Sequence, residues 1–247
     1  MPPSNLSINK KSLVMNTKFN SLCAYSGLAF GLVFVVGWAL IAGYLPPHAP
    51  DFSATEISEI YLSNVTSIRA GMMFCMMATG FYAPWVAVLY IVMKRIEGDE
   101  APIMAMTQVV SGAVGFVIFC LPPMIWTAAS YRLDRAPEIM FMLNDLGWLI
   151  LATVVSPFIL QNLSVGIAIL RDRAVTPLIP KWVGYFNVWA AVIYVPAGLI
   201  PFFKVGPFAW DGVLAFWLPA STFFCTIIVL TIYIQKSLQN TRYVTIS

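Results

Sequence analysis

The chain has 247 residues, 60% of them hydrophobic and only 10% charged, with a formal net charge of +3. A soluble domain carries about a quarter charged residues, so water is not the main solvent of this fold. So small a positive charge gives no reason to expect nucleic acid as a partner.

Six intervals free of Asp, Glu, Lys and Arg follow one another: Phe19 to Pro50, Ala70 to Met93, Ala101 to Tyr131, Leu146 to Leu170, Trp182 to Phe203 and Gly212 to Gln235. Each exceeds the roughly 18 to 20 apolar residues that cross about 30 Å of hydrocarbon. The expected fold class is all-α: a polytopic membrane protein with a six-transmembrane-helix bundle. Helix is preferred to barrel because the runs lack the polar alternation of lumen-facing strands, and a helix satisfies its own backbone in lipid. The first run is longer than the roughly 7 to 15 residue core of a cleaved signal, and no Ala-x-Ala site closes it. Residues 1–21 then form a cytoplasmic tail, 22–235 the transmembrane domain and 236–247 a second cytoplasmic tail.

Between spans one and two, "DFSATEISEIYLSNVTSIR" offers a capping box at Ser53 and Glu56. Ile57, Ile60, Tyr61, Val65 and Ile68 recur at helical spacing, which predicts an outer amphipathic helix lying at the membrane interface. "KRIEGDEAP" and "RDRAVTPLIP" read as short polar inner loops, and "RLDRAPEIMFMLNDLGW" predicts a helix that starts at Pro137 and runs into span four. Five spans carry internal prolines: Pro84, Pro122 with Pro123, Pro157, Pro196 and Pro219. Each removes a backbone donor and predicts a kink. In "KVGPFAWDGVLAFWLP", Lys204 meets the negative end of span five, Gly206 and Pro207 turn the chain, and Asp211 falls in the positive first turn of span six. Trp210 is expected as an interfacial aromatic, with Trp217 seven residues later on nearly the same face.

Ten of the fourteen basic residues fall in the two tails and the 2–3 and 4–5 loops, whereas seven of the eleven acids fall on the opposite face. Basic residues that flank spans are retained in the cytoplasm, so both termini are expected inside.

His48 is the only histidine and lies in the Pro-rich first outer loop, so bis-His haem, di-iron and copper sites lack their ligands. Cys23, Cys75, Cys120 and Cys225 all fall within spans, without metal-site spacing, and read as packing residues. No phosphate-binding glycine motif is present, and no cofactor, metal or catalytic residue is expected. The span interiors carry no ionisable acid, base or histidine of the kind that proton relays need. Their polar groups are neutral: Tyr82, Gln108, Ser111, Gln161, Asn162, Asn187 and Tyr194. Such groups serve as hydrogen bonds between helices or as polar handles in an apolar pocket. Tyr82, Gln161, Asn162, Asn187, Tyr194 and Trp217 are the candidate ligand-binding residues. Charges gather at the outer ends of the spans, among them Arg69, Glu138, Asp145 and Asp211, either as a solvated rim or as a vestibule that recognises a ligand. Similar depth suggests an Arg69 to Asp145 or an Arg132 to Asp211 pair.

"MKRIEG" (93–98), "MLNDLGW" (142–148), "AILRDR" (168–173), "KWVGYFNVW" (181–189) and "GPFAWDG" (206–212) resemble segments of a family of uncharacterised bacterial membrane proteins with six transmembrane helices. The resemblance covers the chain from about Arg69 onward and implies a bacterial inner (plasma) membrane protein, with no assigned activity. The leading expectation is a protein that binds or passes a neutral lipophilic small molecule. The alternative is a non-catalytic subunit that packs in membrane lipid against other membrane proteins or copies of itself. An intramembrane enzyme is the weakest reading, because no acid, base and nucleophile gather at depth.

Overall fold

The computed structural model describes residues 17–239, and among them every regular element is a helix. Six helical segments are long and apolar enough to cross a membrane: Lys18–Ile41, Val65–Glu97, Ile103–Tyr131, Pro137–Arg171, Lys181–Phe202 and Val213–Gln239. The chain is thus an all-α, polytopic six-helix bundle, as its apolar runs predict. Lys10, Lys11 and Arg242, which enter the count of basic residues, lie outside the described residues.

Span one is α1 (Thr17–Val35) followed by a π-helical stretch, Val36–Ile41. The capping box forms: Glu56 N–H donates to Ser53 Oγ at 3.3 Å and Ser53 N–H to Glu56 Oε2 at 2.7 Å, opening α2 (Ala54–Ser63). The helical pattern read through to Ile68 is interrupted at Asn64 (φ −124°, ψ 24°), and Val65 already begins span two, α3 (Val65–Glu97). Ile57 and Tyr61 of α2 are fully buried. Spans three and four follow as α4 (Ile103–Tyr131) and the pair α5 (Pro137–Thr153) and α6 (Ser156–Arg171). α2 rests against α5, with Ile57, Ser58 and Tyr61 buried. Span five is α7 (Lys181–Tyr194) continued by a 3-10 helix, Val195–Phe202. Span six opens as a π-helical turn, Val213–Trp217, before α8 (Leu218–Gln239).

The prolines divide into two groups. Pro84, Pro122 and Pro123 lie inside the unbroken α3 and α4. Pro157 cannot donate to the Thr153 carbonyl, and span four breaks at Val154 and Val155; Pro196 lies in the first turn of the 3-10 segment, and Pro219 follows the π segment. The irregular backbone therefore collects in spans one, four, five and six.

Close crossings hold the bundle. A Cβ on Gly37 would stand 2.7 Å from the Gly71 carbonyl oxygen, and one on Gly166 would stand 3.0 Å from the Gly184 carbonyl oxygen. In lipid, where apolar burial does not drive helices together, such small residues permit the tight contact that does. Ser21 Oγ donates to Gln235 Oε1 at 2.7 Å and Gln235 Nε2 to the Ser21 carbonyl at 2.8 Å, so span one starts and span six ends at one level. We call this the terminal end and its opposite the distal end.

Candidate functional site

A cavity of about 330 Å³ lies in the flank of the bundle. Its exposed lining residues are Val35, Leu45, Trp217 and Ser221, which sets its mouth between spans one and six. The irregular segments supply its walls: Trp38 and Ala39 from span one, Val155 from the break in span four, Tyr194 at the end of α7, and Ala215 to Trp217 from span six. Proline is the local cause in spans four, five and six, while the π stretch of span one contains none; helices that lose their regular ladder here cannot interdigitate fully. No charged side chain lines the cavity. On one side stand Phe34, Phe119, Phe158 and Phe223, part of a cluster with Phe30 and Tyr82 whose ring centroids lie 5.0 to 6.4 Å apart. On the other stand Trp38 and Phe216, each 6.0 Å from Trp148.

Toward the terminal end a much smaller void, about 10 Å³, is lined by Tyr82, Gln161, Asn162, Asn187 and Thr226, with Phe223 as a wall shared with the cavity. Tyr82 Oη donates to Gln161 Oε1 at 2.8 Å, joining spans two and four. Asn162 and Asn187 each donate through Nδ2 to a carbonyl of their own helix, Phe158 and Val183, both at 2.8 Å. Gln161 Nε2, Asn162 Oδ1, Asn187 Oδ1 and Tyr194 Oη are buried without a hydrogen-bond partner of ordinary geometry. Of the six candidate ligand residues, Tyr82, Gln161, Asn162 and Asn187 therefore meet at this chamber, while Tyr194 and Trp217 line the cavity. Tyr194 adjoins both, since its hydroxyl neighbours Thr226 and Asn162.

A third cluster closes the distal end, and His48 is in it. The imidazole is buried, its ring 4.4 Å from that of Tyr44, and Nδ1 donates to Asn144 Oδ1 at 3.1 Å. Tyr44 Oη donates to Tyr61 Oη at 2.8 Å, and Tyr61 Oη donates onward to Asn144 Oδ1 at 3.4 Å. The Asn144 carbonyl accepts from Trp126 Nε1, and the His48 carbonyl from Trp210 Nε1 at 2.7 Å. Burial lowers the His48 pKa, against the opposing effect of the Asn144 bond, and so keeps the ring neutral. Burial raises both phenols, so each retains the proton it donates. Trp210 is accordingly buried, stacked on Trp148 at 6.3 Å and 9°, whereas Trp217 is exposed and donates to the Asp211 carbonyl. The two tryptophans do not share a face, because the helix begins only at Val213 and its first turn is π.

Two of the rim arginines satisfy a helix end. Arg69 donates to the carbonyls of Ser130 and Tyr131, and Arg135 to that of Ala128, all at the carbonyl end of α4. Neither the Arg69 to Asp145 nor the Arg132 to Asp211 pair forms; the guanidinium of Arg69 is occupied by α4, and Arg132 is exposed. Arg171 pairs with Glu100 at 3.4 Å, at the terminal end. Glu138 is exposed in the first turn of α5, while Asp145 is half-buried and accepts from Asn144 Nδ2 at 3.4 Å. Asp211 is half-buried beside the π turn, where desolvation raises its carboxyl pKa.

No three His, Cys, Asp or Glu side chains come together among the described residues, and all four cysteines are unpaired. No protein-family model, curated protein or solved structure matches the chain. The distal cluster went unpredicted, because a lone histidine in a Pro-rich loop and an Asn four residues before a Trp carry no spacing signal.

Proposed function

We propose that the protein is a multi-pass bacterial inner-membrane protein, with both termini in the cytoplasm, that binds or passes a neutral lipophilic small molecule. The observation that carries the reading is the flank cavity: about 330 Å³, walled by aromatic and small apolar residues, free of charge and open between spans one and six. Its size falls at the lower end of small-molecule sites, about 300 to 1,000 Å³. A lateral mouth admits a molecule already dissolved in the bilayer, and an uncharged apolar lining offers an ion nothing to offset its desolvation, so the site favours a neutral ligand. The excess of basic residues on the side of the tails supports the orientation.

The test is solvent extraction of the protein purified in mild detergent, for the wild type and for Ala220→Trp, which places an indole in the cavity from α8. The wild type is expected to retain a lipophilic compound by mass spectrometry that the folded variant loses. Identical extracts from both proteins would reject the cavity as a ligand site.

A further inference from the structure

The small chamber beside the cavity contains an unusual set of atoms. Gln161, Asn162 and Asn187 are 5%, 4% and 0% exposed, yet each presents one amide atom with no partner: Gln161 Nε2, Asn162 Oδ1 and Asn187 Oδ1. Buried polar groups are almost always hydrogen-bonded, and the demand is stricter where no water surrounds the protein. The two asparagine oxygens, on residues that line one void, point to an absent donor.

The amides also state its chemistry. Asn162 and Asn187 are held in orientation by their Nδ2 bonds to Phe158 and Val183, so both turn a carbonyl oxygen to the partner. Gln161 is held by Tyr82 Oη on its oxygen, and its Nε2 turns toward Gly112 of α4, where a Cβ would stand 3.1 Å away, rather than toward the chamber. The partner must donate twice. Two carbonyl oxygens repel an anion, and a lining without a carboxylate leaves a cation uncompensated. The void of about 10 Å³ matches one water-sized oxygen, and it has the two to four polar contacts that a buried water requires.

We propose that the chamber between Tyr82, Gln161, Asn162, Asn187 and Thr226 binds a single neutral hydroxyl-bearing oxygen. A trapped water supplies it in full. The terminal hydroxyl of a lipophilic alcohol supplies it with one donated bond fewer, reaching past Phe223, the wall shared with the cavity, toward Tyr194. The alcohol source rests on the ligand role of the cavity; the water source does not.

The decisive experiment is a structure of the wild type in lipid at a resolution that shows water, together with thermal melts in detergent containing dodecanol or dodecane. An isolated peak at about 2.7 to 3.2 Å from Asn162 Oδ1 and Asn187 Oδ1, with equal response to the two additives, supports the proposal with water as the source. A peak continuous with chain density in the cavity, with dodecanol raising the Tm more than dodecane and the difference lost in Asn187→Leu, supports it with an alcohol head group. An empty chamber whose amides have turned to bond one another overturns it. If neither additive shifts the Tm and the cavity is bare while the isolated peak persists, the ligand reading of the cavity falls and the chamber stands.

Discussion

Asn144 joins three elements at the distal end, so replacing it measures how much that cluster holds. In Asn144→Leu the side chain keeps its branch at Cγ but loses the acceptor, and its larger volume in a fully buried site adds to the cost. His48 Nδ1–H and Tyr61 O–H, at 3.1 and 3.4 Å from Asn144 Oδ1, are both left without a partner in buried surroundings. An orphaned buried donor costs about 1 to 3 kcal/mol, so the pair costs about 2 to 6 kcal/mol. For a chain of this size each kcal/mol moves the Tm by about 2 to 4 °C, and a fall of at least about 4 °C is expected. Tryptophan emission reports the melt directly, because Trp126, Trp148 and Trp210 surround the site; scan rate is held fixed, since membrane proteins often unfold irreversibly. Tyr61→Phe removes one of the two stranded donors, so the double variant should lose less than the sum of the singles. A shift below about 2 °C for Asn144→Leu, or strict additivity in the double variant, would refute the reasoning.

Three further outcomes are expected. Unfolded His48 takes up a proton near its ordinary pKa of 6.5, whereas the buried ring resists until lower pH. The unfolded state therefore binds more protons in that window: stability is flat above about pH 6.5, falls as pH drops toward the lowered folded value, and loses this slope in His48→Gln. Gly71→Leu puts a Cβ 2.6 Å from the Ala42 Cβ at the crossing of spans one and two, and its Tm should fall by about 2 °C or more, from about 1 to 3 kcal/mol of overpacking. Glu97 accepts from the N–H groups of Met104 and Ala105, both at 2.9 Å, so Glu97→Ala should cost about 0.5 to 2 kcal/mol as a lost helix cap, with Glu97→Gln retaining part of it in the same melts.

The bundle was legible in the sequence because lipid leaves only one way to satisfy the backbone of a twenty-residue apolar run that lacks alternation. The capping box at Ser53 and the helix start at Pro137 were legible for the same local reason: each is decided within four residues. Which prolines break their helices was not. Pro84 and Pro122 read like Pro157 and Pro196 in sequence, yet the first two lie in continuous helix and the last two at interruptions. Neighbouring helices decide that, and no window along the chain contains them. The candidate site was half legible: polarity inside an apolar span singles out Tyr82, Gln161, Asn162 and Asn187, and the structure gathers them. The cavity itself was invisible, because residues such as Ala39, Val155 and Ala215 look like any other core residue until three irregular segments leave space between them.

The charges show why a pairing argument fails in this setting. At the edge of a bilayer the last carbonyls of a span are neither bonded within the helix nor well hydrated, and together they hold the negative end of the helix dipole. A nearby cation gains more by donating to them than by seeking a carboxylate across solvent, where an exposed pair contributes little. Arg69 and Arg135 do so on α4, and Lys181 does so on α6, donating to the carbonyls of Ile169, Leu170 and Asp172. The same rule with the sign reversed explains Glu97 on the first turn of α4. Each of these bonds joins the end of one span to a residue from a neighbouring span or loop, so the charged rim locks the helices in register while the interior is left neutral. That division leaves the chamber and the cavity free of any fixed charge, which is the electrostatic condition a neutral ligand requires.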